Sequence, residues 1–155
     1  MKKWFLLCIF FSSLLQAEDK GSLSLAVGVN NFLRHNYITG EARIEYKPSI
    51  HYQLFYPILG GLFTFKGATY LYAGFGIDVT TKRIYFFPSF AVGWYQKGHG
   101  RDLGYPLEFR TSVELGFKIF SSSRLGGYVY HISNASIGKR NPGMEGVGLV
   151  YTYGF

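Results

Sequence analysis

Cysteine is almost absent. Cys8 is the one thiol in 155 residues, and it lies in an apolar N-terminal stretch. That stretch covers residues 4–15, broken only by Ser12 and Ser13, with Lys2 and Lys3 before it and the small Ala17 after it. This order reads as a secretory signal peptide, and the run is too short to cross a bilayer as a helix. Cleavage is expected after Ala17, although Leu15 is large for its place in such a site. No small-residue site precedes Cys8, so it is not read as a lipid attachment point. The expected mature chain, residues 18–155, is one domain without cysteine. Disulfides, thiolate chemistry and a cysteine-built metal site are thereby excluded.

Long apolar runs are also missing after the signal, so no transmembrane helix is expected. Charge is sparse, at 16% of residues, and no basic run is dense enough to suggest nucleic acid. Loss of Lys2 and Lys3 takes two from the formal net charge of +7. The remaining excess suits anionic lipid headgroups as well as ordinary surface charge. What is abundant is aromatic residues, at 19%, together with 20 glycines. Tyrosine and phenylalanine alternate with glycine, serine and charged residues. That is the pattern of a barrel whose outer face meets lipid and whose inner face is polar or small.

The alternation has period two in several segments. Leu23, Leu25, Val27 and Val29 oppose Ser22, Ser24, Ala26 and Gly28. Ala42, Ile44 and Tyr46 oppose Glu41, Arg43 and Glu45. Leu71, Ala73, Phe75 and Ile77 oppose Tyr70, Tyr72, Gly74 and Asp78. Ile84, Phe86, Phe90, Val92 and Trp94 oppose Tyr85, Ser89, Ala91 and Gly93. In the clearest case Leu107, Phe109, Val113, Leu115, Phe117 and Ile119 share a face, against Glu108, Arg110, Ser112, Glu114 and Lys118. A slip of one residue would push those charges into lipid, at about 2–4 kcal/mol for an Arg or Lys at mid-bilayer. Residues 51–64 are apolar on both faces, with Pro57 and Gly60-Gly61 inside. Residues 124–133 and 145–155 complete eight strands.

An all-β, eight-stranded antiparallel transmembrane barrel of the outer-membrane type is therefore expected. Connections at 48–50, 80–82 and 121–123 are short, as periplasmic turns are, and those at 31–37, 96–105 and 134–144 are longer. The chain ends Val147, Leu149, Tyr151, Tyr153, Phe155 on one face. This resembles the terminal signature by which outer-membrane proteins are recognised for insertion. Glu41, Arg43, Glu45, Glu108, Arg110 and Glu114 are expected to form a charge network in the lumen. Trp94, Tyr95, Tyr151 and Tyr153 read as an interface girdle. Gly126-Gly127 reads as packing glycines, with space for an acyl chain as the alternative. His35, His51 and His99 are scattered and form no metal-ligand cluster.

Chemistry concentrates near the C-terminus, in His131-Ile132-Ser133-Asn134-Ala135 and Glu145. His131 and Ser133 are i and i+2 on a strand, so both point to one face, with Cα atoms about 6–7 Å apart at strand rise. Glu145 opens the returning strand and shares its face with Val147, Leu149 and Tyr151. Serine, histidine and carboxylate would then lie on the barrel exterior at outer-leaflet headgroup height. A small barrel is filled by its own side chains, so a bulky lipid reaches an outer groove more easily than the lumen. Ser133 would attack an ester carbonyl, His131 would carry the proton, and Glu145 would hold the imidazole. Backbone N–H groups after Ser133, at Ala135 for instance, or the amides of Asn134 and Asn141, would face the oxyanion. Asn141-Pro142-Gly143 is itself a turn signal.

His131, Ser133, Asn134 and Ala135, followed by Asn141, Glu145 and an aromatic strand ending in Phe155, resemble the C-terminal hairpin of the PagL-type lipid A 3-O-deacylases. The interval from Ser133 to Glu145 matches that family's. The resemblance covers about residues 124–155. It implies an eight-stranded outer-membrane barrel with His131, Ser133 and Glu145 as catalytic triad and Asn134 and Asn141 associated with the oxyanion. It further implies lipid A, or lipopolysaccharide, as substrate in the outer membrane among its lipids, with no metal and no cofactor. The oligomeric state is left open, a homodimer included, as is the acyl length accepted. Two rival readings are a non-catalytic barrel serving as adhesin or structural element, and an acyltransferase using a phospholipid donor.

Overall fold

The computed structural model describes residues 16–17, 21–34 and 37–155. The expected signal segment lies outside these residues apart from Gln16–Ala17, which pairs with Ile50–His51. His35 also lies outside them.

Eight long strands carry the fold: β1 (Ser22–Asn30), β2 (Thr39–Lys47), β3 (Phe55–Thr64), β4 (Thr69–Ile77), β5 (Ile84–Gln96), β6 (Leu107–Phe120), β7 (Ser123–Ser133) and β8 (Met144–Gly154). Each pairs antiparallel with its neighbour in sequence, and β8 pairs with β1, so the sheet closes on itself. Closure leaves no long sheet edge and satisfies every strand internally, as a lipid surround demands. Pro57 sits where the β2–β3 ladder has already ended, at Tyr46 and Leu59, so its missing N–H costs no rung there. The long connections, 31–38, 97–106 and 134–143, gather at the end opposite the termini, the extracellular end in barrels of this kind.

Pleat and composition decide what faces in. On β2, Glu41, Arg43, Glu45 and Lys47 are buried while Ile44 and Tyr46 are exposed. On β6, Glu108, Arg110, Ser112 and Glu114 are buried and Leu115 and Phe117 exposed. Inside, Arg110 donates to Glu45 at 2.8 Å and to the Tyr72 hydroxyl at 2.9 Å. Arg43 donates to Glu114 at 2.5 Å. Tyr72 donates to Glu45, and Tyr128 and Tyr130 both donate to Glu41. Ser24 and Thr152 join across the β1–β8 seam at 2.8 Å. The guanidiniums of Arg110 and Arg43 also lie over the rings of Tyr72 and Tyr128. Glycines on the inner face make room for these rings, Gly60 for Tyr72 and Gly146 for Tyr130.

Tyr95 departs from the expected girdle. Trp94 points outward and is 56% exposed, so its strand neighbour must point in, and Tyr95 is buried with its hydroxyl on the Arg101 carbonyl at 2.7 Å. Tyr151 and Tyr153 do face outward. Gly126 is a packing glycine, and the surface at Gly127 is open. A Cβ at Gly126 would strike the Tyr85 hydroxyl inside, whereas one at Gly127 would meet only the Gly148 carbonyl, at 3.6 Å.

Removing one partner of a buried pair leaves an uncompensated charge. Arg110→Ala is expected to cost about 3–5 kcal/mol, read as a lowered urea midpoint of the barrel folded in lipid vesicles. The double variant Arg110→Met/Glu45→Met recovers part of that loss. A cost for Arg110→Ala within the range of exposed pairs, below about 1 kcal/mol, contradicts a stabilising network.

Candidate active site

The β7–β8 register puts His131 directly across from Glu145. Both belong to the outward-facing set, His131 after Val129 and Glu145 before Val147, each of which is exposed. Gly146 introduces no bulge, and pairing continues unbroken from Ser123–Tyr153 to Ile132–Met144. His131 Nδ1 stands 3.7 Å from Glu145 Oε1, with the imidazole 54% exposed and the carboxylate 14%. Ser133 follows on the same face, half-buried. Among the described residues no hydrogen bond joins His131 to Ser133. Such contacts often tighten only when substrate is bound.

Gly143 lies at the level of Ser133, one residue beyond the last rung. A Cβ there would come within 2.9 Å of His131 Cε1 and 3.4 Å of Nε2. The ring edge that carries Nε2 therefore lies against this glycine, while Nδ1 faces the carboxylate. The φ of +64° at Gly143 also favours glycine. The sequence shows Gly143 only as the close of a turn.

Beyond Ser133 the chain turns sharply. Ile137 N–H donates to the Asn134 carbonyl at 3.0 Å, and Ala135 and Ser136 between them have φ of +51° and +64°. Two positive φ values in succession make a type I′ turn, built here without glycine, at roughly 1–2 kcal/mol for each residue. Asn134 is fully buried and holds this turn down. Its amide nitrogen donates to the carbonyls of Leu103 and Arg140, at 2.9 and 2.8 Å. Its backbone N–H donates to Asn141 Oδ1 at 3.1 Å. Both side-chain hydrogens of Asn134 are thus engaged with the loops, and neither is left to face an oxyanion. The backbone N–H groups of Ala135 and Ser136 and the amide nitrogen of Asn141 make no hydrogen bond to protein among the described residues.

Arg34 reaches the site from the loop between β1 and β2. It donates to the carbonyls of Pro142 and Gly143, at 2.6 and 3.3 Å, and its Nη2 stands 3.7 Å from Glu145 Oε1. Sequence reading missed this residue, because nothing local links it to the C-terminal hairpin. His51 lies elsewhere, with its ring stacked on Tyr56 and Nδ1 against the Gln53 carbonyl. His99 is exposed on its loop. Among the described residues no group of histidine and carboxylate side chains could hold a metal ion. On the outer wall, a groove of about 450 Å³ between β1, β2, β7 and β8 is lined by Leu25, Val27, Ile44, Leu125, Leu149 and Tyr151. Leu149 lies four residues along β8 from Glu145.

A family model described as lipid A 3-O-deacylase (PagL) matches residues 35–154. The lipid A deacylase PagL of Bordetella bronchiseptica is 42% identical over 53 residues, which is 34% of this chain and 30% of that protein's length. Among solved structures, the outer membrane enzyme PagL superposes with a TM-score of 0.66 at 20% identity, over 85% of this chain and 98% of that one. Neisserial surface protein A superposes with a TM-score of 0.63 at 8% identity, over 90% and 99%. At such identities the structural likeness is one of fold.

The Asn134 clamp makes its own prediction. Asn134→Ala removes a buried bond to the Leu103 carbonyl and a part-buried one to that of Arg140, and a buried group left without its partner costs about 1–3 kcal/mol. The expected result is faster protease cleavage within 97–106 and 134–143 while the barrel stays folded. Cleavage at the parental rate contradicts the clamp.

Proposed function

Because the chain belongs to the lipid A 3-O-deacylase (PagL) family, we propose that it is an outer-membrane serine esterase that releases the 3-hydroxyacyl chain ester-linked at position 3 of lipid A. The observation that carries this reading is the rung His131–Glu145 on the lipid-facing side, with Ser133 two residues along the same strand. The site faces outward at the end of the barrel that carries the long loops, where an amphiphile's ester bond would lie between headgroup and chains. The groove on the same wall, which begins on β8 at Leu149, four residues from Glu145, offers apolar surface for those chains.

In this mechanism Ser133 Oγ attacks the ester carbonyl as His131 Nε2 takes its proton. Glu145 fixes the tautomer through Nδ1 and stabilises the imidazolium. The tetrahedral oxyanion is met by the unengaged N–H groups of Ala135 and Ser136 and by the Asn141 amide, with the strained turn pre-setting their direction. As the tetrahedral intermediate collapses and its bond to the sugar oxygen breaks, the imidazolium protonates that departing oxygen, which leaves as the sugar hydroxyl. Water, deprotonated by the same histidine, attacks the acyl-enzyme and releases the fatty acid. Every proton transfer in this scheme passes through His131, and the scheme calls for no cofactor.

The test is the mass of lipid A from cells making each variant. The parent chain is expected to lower it by one 3-hydroxyacyl group, and Ser133→Ala is expected to leave it unchanged with heat-modifiable folding intact. Glu145→Ala should slow hydrolysis by about 10³–10⁴-fold, the scale on which a triad carboxylate acts. A gain in lipid A mass would assign acyl transfer instead, and full activity in Ser133→Ala would remove the serine mechanism.

Gly143→Ala tests the imidazole's placement. The added methyl must displace the His131 ring, so turnover is expected to fall at least tenfold with KM little changed and the barrel still folded. Turnover at the parental level would show that the ring edge against Gly143 has no part in catalysis.

A further inference from the structure

Two arginines converge on one carbonyl beside the site. Arg34 Nη1 donates to the Pro142 carbonyl at 2.6 Å, and Arg101 Nη2 donates to the same oxygen at 3.1 Å. They come from different loops, 31–38 and 97–106, and meet over the loop that links β7 to β8. Arg101 is further held by Asn31 Oδ1 at 3.4 Å and lies over the Tyr37 ring at 5.4 Å. Like charges brought together need an anion, and very little is available here. Asp102 is taken by Lys97 and Arg140, at 3.3 and 3.5 Å, and its carboxyl is held below the ordinary range chiefly by the Gly104 N–H and by Lys97. Glu145 is shared between Arg34 and His131. Among the described residues Arg101 makes no ion pair with a carboxylate. Partial burial and the Arg34 charge push its guanidinium down from its usual value.

The arrangement is a fixed pair of forks with surplus positive charge, and forks of this geometry match phosphate oxygens bidentately. Pro142 O orients both without neutralising either. The place is equally telling. Arg34 Nη2 is 3.7 Å from the carboxylate that faces His131, so the pair lies one side chain away from the imidazole. An ester and a phosphate carried on one sugar headgroup can reach both.

We propose that Arg34 and Arg101 form a binding site for a phosphate monoester on the sugar headgroup of the lipid substrate, fixing that headgroup so that its ester meets Ser133. This rests on the esterase reading for the identity of the lipid, but the site itself is testable by binding alone.

The experiment uses the full barrel carrying Ser133→Ala, in neutral detergent micelles. Binding is measured for lipid A with its sugar phosphates and for the same lipid A after phosphatase treatment. The phosphorylated form is expected to bind at least about tenfold more tightly, the scale of one charge-assisted hydrogen bond. Adding Arg101→Gln should bring the ratio close to one by weakening only the phosphorylated lipid, and Arg101→Lys should retain part of it. Equal binding of the two lipids overturns the proposal, as does an unchanged ratio in both Arg34→Gln and Arg101→Gln. Inorganic phosphate is the control for a free ion. If it binds and the two lipids do not differ, the site belongs to free phosphate and the substrate assignment falls. A phosphate preference in a chain whose parent form releases no fatty acid would sustain this site while removing the esterase.

Discussion

The arginine–glutamate lattice in the lumen is the constraint on which everything else depends. Strand side chains alternate strictly, so a wall with lipid on one side and buried ion pairs on the other has one workable register. Arg110 on Glu45 and Arg43 on Glu114 tie β2 to β6 across the interior. Tyr128 and Tyr130 of β7 are tied to Glu41 of β2 in the same way. Sliding β7 by one residue would turn those tyrosines into lipid and point His131 inward. The outer-wall position of His131, Ser133 and Glu145 is thus a consequence of what fills the barrel.

Strands supply the direction of these side chains, and loops supply the rest of the local environment. Three loops from distant parts of the chain interlock above the β7–β8 hairpin. Asn134 bonds to the carbonyls of Leu103 and Arg140, and Arg34 to those of Pro142 and Gly143. Asn31 N–H also donates to the Glu145 carbonyl at 2.6 Å. The strained Ala135–Ser136 turn persists because Asn134, buried immediately before it, ties it to the carbonyls of Leu103 and Arg140.

The barrel was legible in the sequence because period two is a local signal. The faces of most strands and the lumenal charges followed from alternation; residues 51–64 were apolar on both faces, so a strand was expected there without an assigned inner side, and the structure forms it over Phe55–Thr64. Glu145 kept its parity through Gly146 for the same reason. Tyr95 was misread beside Trp94, although adjacent residues on one strand cannot both face lipid. Gly143 was visible as a turn but not as the floor under an imidazole. Arg34 and Arg101 carried no signal, since loop packing joins residues far apart in sequence and has no period. Asn134 was singled out by its place after Ser133, yet its burial beneath two loops could be seen only in three dimensions.

The proposed hydrolysis requires Ser133 to be an activated nucleophile on the outer wall, and covalent labelling tests that most directly. The folded barrel is treated with an alkyl fluorophosphonate, which reacts with activated serines, and the adduct is located by peptide mass mapping. The expected result is one phosphonyl group on the peptide that contains Ser133, absent when His131 is replaced by alanine. A folded barrel that takes no label, or takes it on another serine, would contradict the account.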